Sequence, residues 1–340
     1  MPEAETIESF AAALKLFEKL GSVKLDAAVV YGKNDRASTT EGDWRAICGR
    51  AGDVYLMTMH AIIRSGRALT TLSVYANTPR CSIPCECISR CVGDDGQFDE
   101  MKASTSTIKN IALSVSMRPD SVAGVAVELS QRNITAVARL LAQMPNLESI
   151  DLHLYKMSDA DVPAYHMAFD EIARTTRLKK LKSCALRGWH ATEESLLRFL
   201  SHHPDLEYLE LRELVLLAHS FDLIFNHVER MPVLAGLRLS NLWYETVDRQ
   251  RTLKDLCPAW QPDRCAGPAD RCWVSWGMRF FHTWYFDAAD IQKGLAFPLI
   301  FPLPTNADLV NVKDTEWATT RRFEFGPPVS SRDFDLPLSR

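Results

Sequence analysis

The sequence predicts an α/β chain that grows by stacking short helix–strand units, with a curved parallel sheet inside and helices outside. Three observations predict it. A leucine pattern recurs in "MPNLESIDLHLY" (144–155), "HPDLEYLELREL" (203–214) and "MPVLAGLRLSNL" (231–242), with a weaker copy in "TTRLKKLKSCAL" (175–186). Their first leucines, Leu147, Leu178, Leu206 and Leu234, are spaced by 31, 28 and 28 residues. Before each strong copy runs an amphipathic segment that ends at Pro145, Pro204 or Pro232, two residues ahead of the first leucine.

The helical half of the unit follows from spacing. "ITAVARLLAQMP" sets Ile134, Val137, Leu140, Leu141 and Met144 on one helical face, and "FDLIFNHVERMP" does the same with Phe221, Ile224, Phe225 and Val228. The proline then removes a backbone donor and pushes the residue before it toward extended geometry. The strand half follows from alternation: Leu209 and Leu211 share one side, Tyr208, Glu210 and Arg212 the other. One such unit cannot bury its apolar side alone, whereas neighbours in a stack can. Connections of this length favour parallel strands with right-handed crossovers.

Fainter copies precede these, starting at Ile108, Leu69 and Leu20, and their wider spacings (39, 39 and 49) predict longer inserted loops. Residues 1–51 read as an N-terminal cap or incomplete first repeat with its loop, "IESFAAALKLFEKL" being its helix. Residues 52–245 form the repeat region. From 246 to 340 the leucine period disappears, while five of eight tryptophans and nine of seventeen prolines fall there. That segment reads as a cap around "CWVSWGMRFFHTWYF" (272–286), followed by an extended or disordered tail.

The repeat copies resemble the leucine-rich repeat proteins, in the 28-residue form that alternates strand with helix. The "MPNLESIDL" strand is most similar to the repeat regions of fungal proteins related to F-box proteins. The resemblance covers about residues 52–245 and implies an irregular leucine-rich-repeat solenoid. It further implies a free-standing scaffold, or a reader of substrates in a ubiquitin ligase pathway. Two features depart from the family. An Asn or Cys is expected eight residues after each first leucine, to hydrogen-bond the turn backbone, but Tyr155, Leu186, Leu214 and Leu242 stand there and only Asn77 matches. Nothing in residues 1–50 resembles the F-box docking module.

Composition narrows the function further. The formal net charge is −4, without the basic excess that a nucleic-acid partner calls for. No apolar run is long enough to cross a membrane, and "MPEAETIESFAAALKLF" lacks the pattern of a secretory signal. An odd count of nine cysteines fits reduced thiols in cytoplasm or nucleus. No phosphate-cradling loop, HExxH pair or GxSxG elbow occurs, so no enzyme and no cofactor is expected. His202 and His203, at a helix end before Pro204, read as capping residues.

Expectation therefore settles on a protein partner bound at the concave face. The side chains predicted there are Ser149, Asp151 and His153; Lys180 and Lys182, with Cys184 beside them; Tyr208, Glu210 and Arg212; and Arg238. Tyr and Arg are common interface anchors. A second reading is a metal- or redox-responsive protein acting through "CSIPCECISRC", with Cys81, Cys85, Cys87 and Cys91. Paired thiolates suit zinc, although one residue between the two pairs leaves little chain to wrap an ion. The bland alternative is a Cys-rich loop with thiols packed as small apolar groups.

Overall fold

A computed structural model describes residues 4–27, 41–76, 78, 81–93, 98–117, 130–155, 162–217, 221–240, 242–244, 254–255 and 283–295. In chain order the elements are α1 (Ala4–Lys15), β1 (Ser22–Leu25), α2 (Glu41–Ser65), β2 (Thr71–Val74), β3 (Ile83–Pro84), α3 (Cys85–Val92) and α4 (Phe98–Thr105). Next come β4 (Asn110–Ser116), α5 (Gln131–Ala142), β5 (Ser149–Tyr155), α6 (Val162–Thr175), β6 (Ser183–Arg187), β7 (His190–Thr192) and α7 (Glu193–His202). The last described elements are β8 (Tyr208–Arg212), β9 (Val215–Leu217), α8 (Asp222–Val228), β10 (Gly236–Ser240), β11 (Trp243–Tyr244), β12 (Lys254–Asp255), β13 (Thr283–Asp287) and α9 (Ala288–Lys293).

The protein is a mixed α/β structure around an open, mostly parallel sheet. Its strands lie in the order β1-β2-β4-β5-β6-β8-β10-β13, and β3 adds onto β4. The seven from β1 to β10 run parallel and in chain order; β13 closes that end antiparallel to β10. Helices form the second layer, with α2 on α3, α3 on α5, α5 on α6, α6 on α7 and α7 on α8. A smaller sheet runs β12-β11-β9-β7.

Local sequence starts and stops the helices. The Ser130 side chain accepts from Asn133 N–H at the start of α5, and Thr192 does the same for Ser195 at α7. Asp287 and Asp290 form a reciprocal capping box on α9. Helices α5, α7 and α8 end three, two and four residues before Pro145, Pro204 and Pro232, as the proline stops require.

The register shows a pattern of Leu-x-x-Leu-x-Leu type. Ile111 and Leu113 lie beside Ile150 and Leu152, then Cys184 and Leu186, Leu209 and Leu211, Leu237 and Leu239. All are buried in one core with the apolar helix faces, each large side chain contributing about 1.5–3 kcal/mol. This corrects the register expected for the weak copy. Its leading leucine is Leu181, which stands three residues before Cys184 as Leu206 stands before Leu209. Leu178 lies in the turn before it.

Two further expectations change. Part of the added length between the early strands is helix and not loop: α2 occupies 25 residues, and α3 with α4 fills part of the next interval. The cysteine-rich segment is largely α3. Of the aromatic run 272–286, strand β13 is described; positions 296–340 and Asn77 lie outside the described residues, as do Cys257, Cys265 and Cys272.

Candidate binding face

Alternation places a second set of side chains on the sheet face away from the core. Asp151 on β5, Ala185 on β6, Glu210 on β8, Arg238 on β10 and Tyr285 on β13 form one row across five strands. A flanking row holds Asn110, Ser149, Ser183, Tyr208 and Gly236; on the other side stand Ser114, His153, Arg187 and Arg212. The half toward β1 is floored by small residues such as Ser73 and Ala112. Lys24 on β1 ends the central row on that side, and the half toward β13 carries the aromatic rings and most of the charges.

Glu210 organises that second half. The residue is nearly buried at 8 % exposure. Both of its carboxylate oxygens lie 3.3 Å from Arg238 Nη1, and Oε2 also accepts from the Tyr208 hydroxyl at 3.4 Å. The Arg238 guanidinium sits 5.2 Å from the centre of the Tyr285 ring, within cation–π range. Tyr285 itself is 67 % exposed. Gly236 leaves room for the neighbouring ring, since a Cβ there would lie 2.9 Å from Tyr208 Cδ2. Burial, then the Glu210 carboxylate, raises the Tyr208 phenol above its ordinary value.

Asp151 anchors the middle of the face. Arg187 grips it through two bonds, Nε to Oδ1 at 2.8 Å and Nη2 to Oδ2 at 2.9 Å, and also donates 3.0 Å to the Ala76 carbonyl. That fork geometry is the strong form of a carboxylate–guanidinium pair. Burial nevertheless raises the Asp151 pKa, with Arg187 opposing the shift. Arg187 was missed in the sequence because the weak copy was aligned on Leu178; counting from Leu181 puts it on this face. Tyr285 carried no such signal, since only pairing of β13 with β10 brings it here.

His153 is on this side of the sheet but is only 4 % exposed, with its Nδ1 3.1 Å from the buried Ser114 hydroxyl. Burial first, then the charges of Arg187 and Arg212, pushes its pKa well below the ordinary range. A neutral, enclosed imidazole of this kind has no open path to a large partner.

Lys180 and Lys182 occupy the turn before β6 and not the strand itself, and Cys184 points to the core. Lys180 Nζ donates to Asn146 Oδ1 at 2.8 Å. Lys182 pairs with Glu207 at 2.7 Å, and Lys109 with Glu148 at 2.9 Å. These four alternating charges line the strand entrances. They are exposed, so each pair contributes little to stability.

The thiols lie near one another without forming a metal-binding group. Cys85 and Cys87 are two positions apart on α3, hence about 200° apart around the helix. Among the described residues no group of three or more His, Cys, Asp or Glu side chains could hold a metal ion. Cys81, Cys85 and Cys91 are buried, and burial pushes each of their pKa values up to about 12. A thiol so rarely ionised is a poor nucleophile. Cys87 packs against Gly52, where a Cβ would meet its sulfur at 2.5 Å; the four behave as small apolar fillers. At the other histidine pair, His203 Nε2 accepts from Leu178 N–H at 3.2 Å while its Nδ1 lies 2.7 Å from the Phe199 carbonyl.

Among the described residues no helix is long and apolar enough to cross a membrane. No protein-family model and no curated relative matches the chain.

Proposed function

We propose that the chain is a non-enzymatic interaction protein, an irregular leucine-rich-repeat solenoid that binds a protein partner on the open face of its sheet. Tyr208, Glu210, Arg212 and Arg238 form the centre of that surface, with Asp151 and Ser149 beside them. The observation that carries the reading is the Tyr208–Glu210–Arg238–Tyr285 constellation, in which a nearly buried carboxylate fixes an exposed aromatic and cationic surface. Preorganised Tyr and Arg side chains are the usual anchors of interfaces. The seven parallel strands in chain order support the repeat architecture. By resemblance, the partner is a substrate or component of a ubiquitin ligase, met in cytoplasm or nucleus.

Affinity capture with the intact chain and with Tyr208→Ala and Arg212→Ala variants tests this. Both variants lose the partners that the intact chain retains, while circular dichroism shows them folded. Lys180→Ala with Lys182→Ala, at the strand entrances, retains them. Identical partner sets for the intact chain and the Tyr208→Ala and Arg212→Ala variants overturn the assignment of the face.

A further inference from the structure

We propose that the partner segment is an acidic peptide, which places an Asp or Glu side chain against Arg238 between the rings of Tyr208 and Tyr285. This rests on the reading of the open sheet face as the binding surface and names the chemistry that surface selects. The charges facing this region are Arg187, Arg212 and Arg238 against Asp151 and Glu210. The two carboxylates are not equally available. Asp151 is gripped by the fork of Arg187, and Glu210 is nearly buried while serving both Tyr208 and Arg238. Among the described residues this half of the face carries three guanidinium groups and two carboxylates.

Arg238 is also under-used. Glu210 engages it through Nη1 alone, at 3.3 Å to each oxygen, and its Nε is buried without a hydrogen-bond partner. An unpaired buried N–H is costly. A guanidinium carries five donors in a planar fork, and Glu210 takes only those of Nη1. A partner acid supplies acceptors to a guanidinium that the described residues engage through Nη1 alone. Tyr285, largely exposed and in cation–π contact with the same guanidinium, would shield that ion pair from water and strengthen it. Arg212, on the neighbouring strand, adds attraction at longer range.

The test is selection of random short peptides, displayed without a free carboxyl terminus, on the full chain. Enriched peptides are expected to carry Asp or Glu and to bind more weakly as salt rises. Arg238→Ala should weaken them by about tenfold or more. Arg238→Lys, which keeps the charge but loses the fork, should recover only part of that loss. Thermal melts establish that both variants are folded, and Lys182→Ala serves as a cation control that should leave binding unchanged. Enriched peptides that are neutral or basic, yet lost with Tyr208→Ala, overturn the acidic partner and leave the face intact. Peptides indifferent to both Tyr208→Ala and Arg238→Ala overturn the face and the acidic partner together. Failure to enrich any peptide counts against the acidic partner.

Discussion

The indole Nε1 of Trp189 donates a 2.9 Å hydrogen bond to the carbonyl of Leu152, on the strand of the preceding unit. Trp189 stands eight residues after Leu181, the corrected first leucine of its unit. The bond joins two units, β5 to the turn after β6, inside the core.

Trp189→Phe keeps an aromatic ring against Phe169 but removes the donor. The stranded Leu152 carbonyl should cost about 1–3 kcal/mol. Trp189→Ala adds a cavity and should cost about 3–5 kcal/mol. Urea unfolding monitored by far-ultraviolet circular dichroism would separate the two; equal midpoints for Trp189→Phe and the parent chain would dismiss the bond as a contributor.

Gly188 and Gly49 should respond in opposite directions to alanine. Gly188 turns the chain after β6 with φ +70°, and a Cβ there would lie 2.5 Å from the Leu154 carbonyl oxygen. Gly188→Ala should therefore destabilise by more than about 1 kcal/mol. Gly49 lies within α2 with nothing inside 4 Å of its added Cβ. Gly49→Ala should stabilise by about 0.5–1 kcal/mol. Shifts of the same sign in thermal melts would contradict this contrast.

His203 makes stability fall under mild acid. Its Nε2 accepts from Leu178 N–H, so the neutral ring is required, and burial lowers its pKa from 6.5 to about 4. Above pH 6.5 the residue is neutral whether folded or unfolded and has no effect. Below it the unfolded chain takes up the proton first, so stability declines until the folded protein is protonated near pH 4. The loss across that window is about 3 kcal/mol, and His153, also held neutral by burial, adds in the same direction. Chemical denaturation at a series of pH values should show this slope, and His203→Gln should flatten it. An unchanged slope in that variant would remove His203 as its source.

The inner face was legible because it depends on local spacing. Leu147, Leu206 and Leu234 recur with their helices and prolines, and water drives any such pattern to bury one side. The weak copy misled for the same reason: Leu178 and Leu181 are both buried leucines, and only the strand register distinguishes the turn residue from the leading residue. Arg187, Lys180 and Lys182 moved with that choice. The sequence displayed four cysteines close together, but Cys81 lies outside α3 and Cys85 is about 200° around that helix from Cys87.

By itself, then, the sequence determined the alternation of helix and strand, the parallel order and most of the buried leucines, since hydrophobic periodicity acts over a few residues. Only tertiary structure decided which side chains of the open face touch one another. Glu210 comes between Tyr208 and Arg238, and Tyr285 beside Arg238, through pairing of β8, β10 and β13. Tyr208 and Glu210 are neighbours on one strand, but the contacts of Arg238 with Glu210 and Tyr285 join positions far apart along the chain, which no local spacing reveals beforehand.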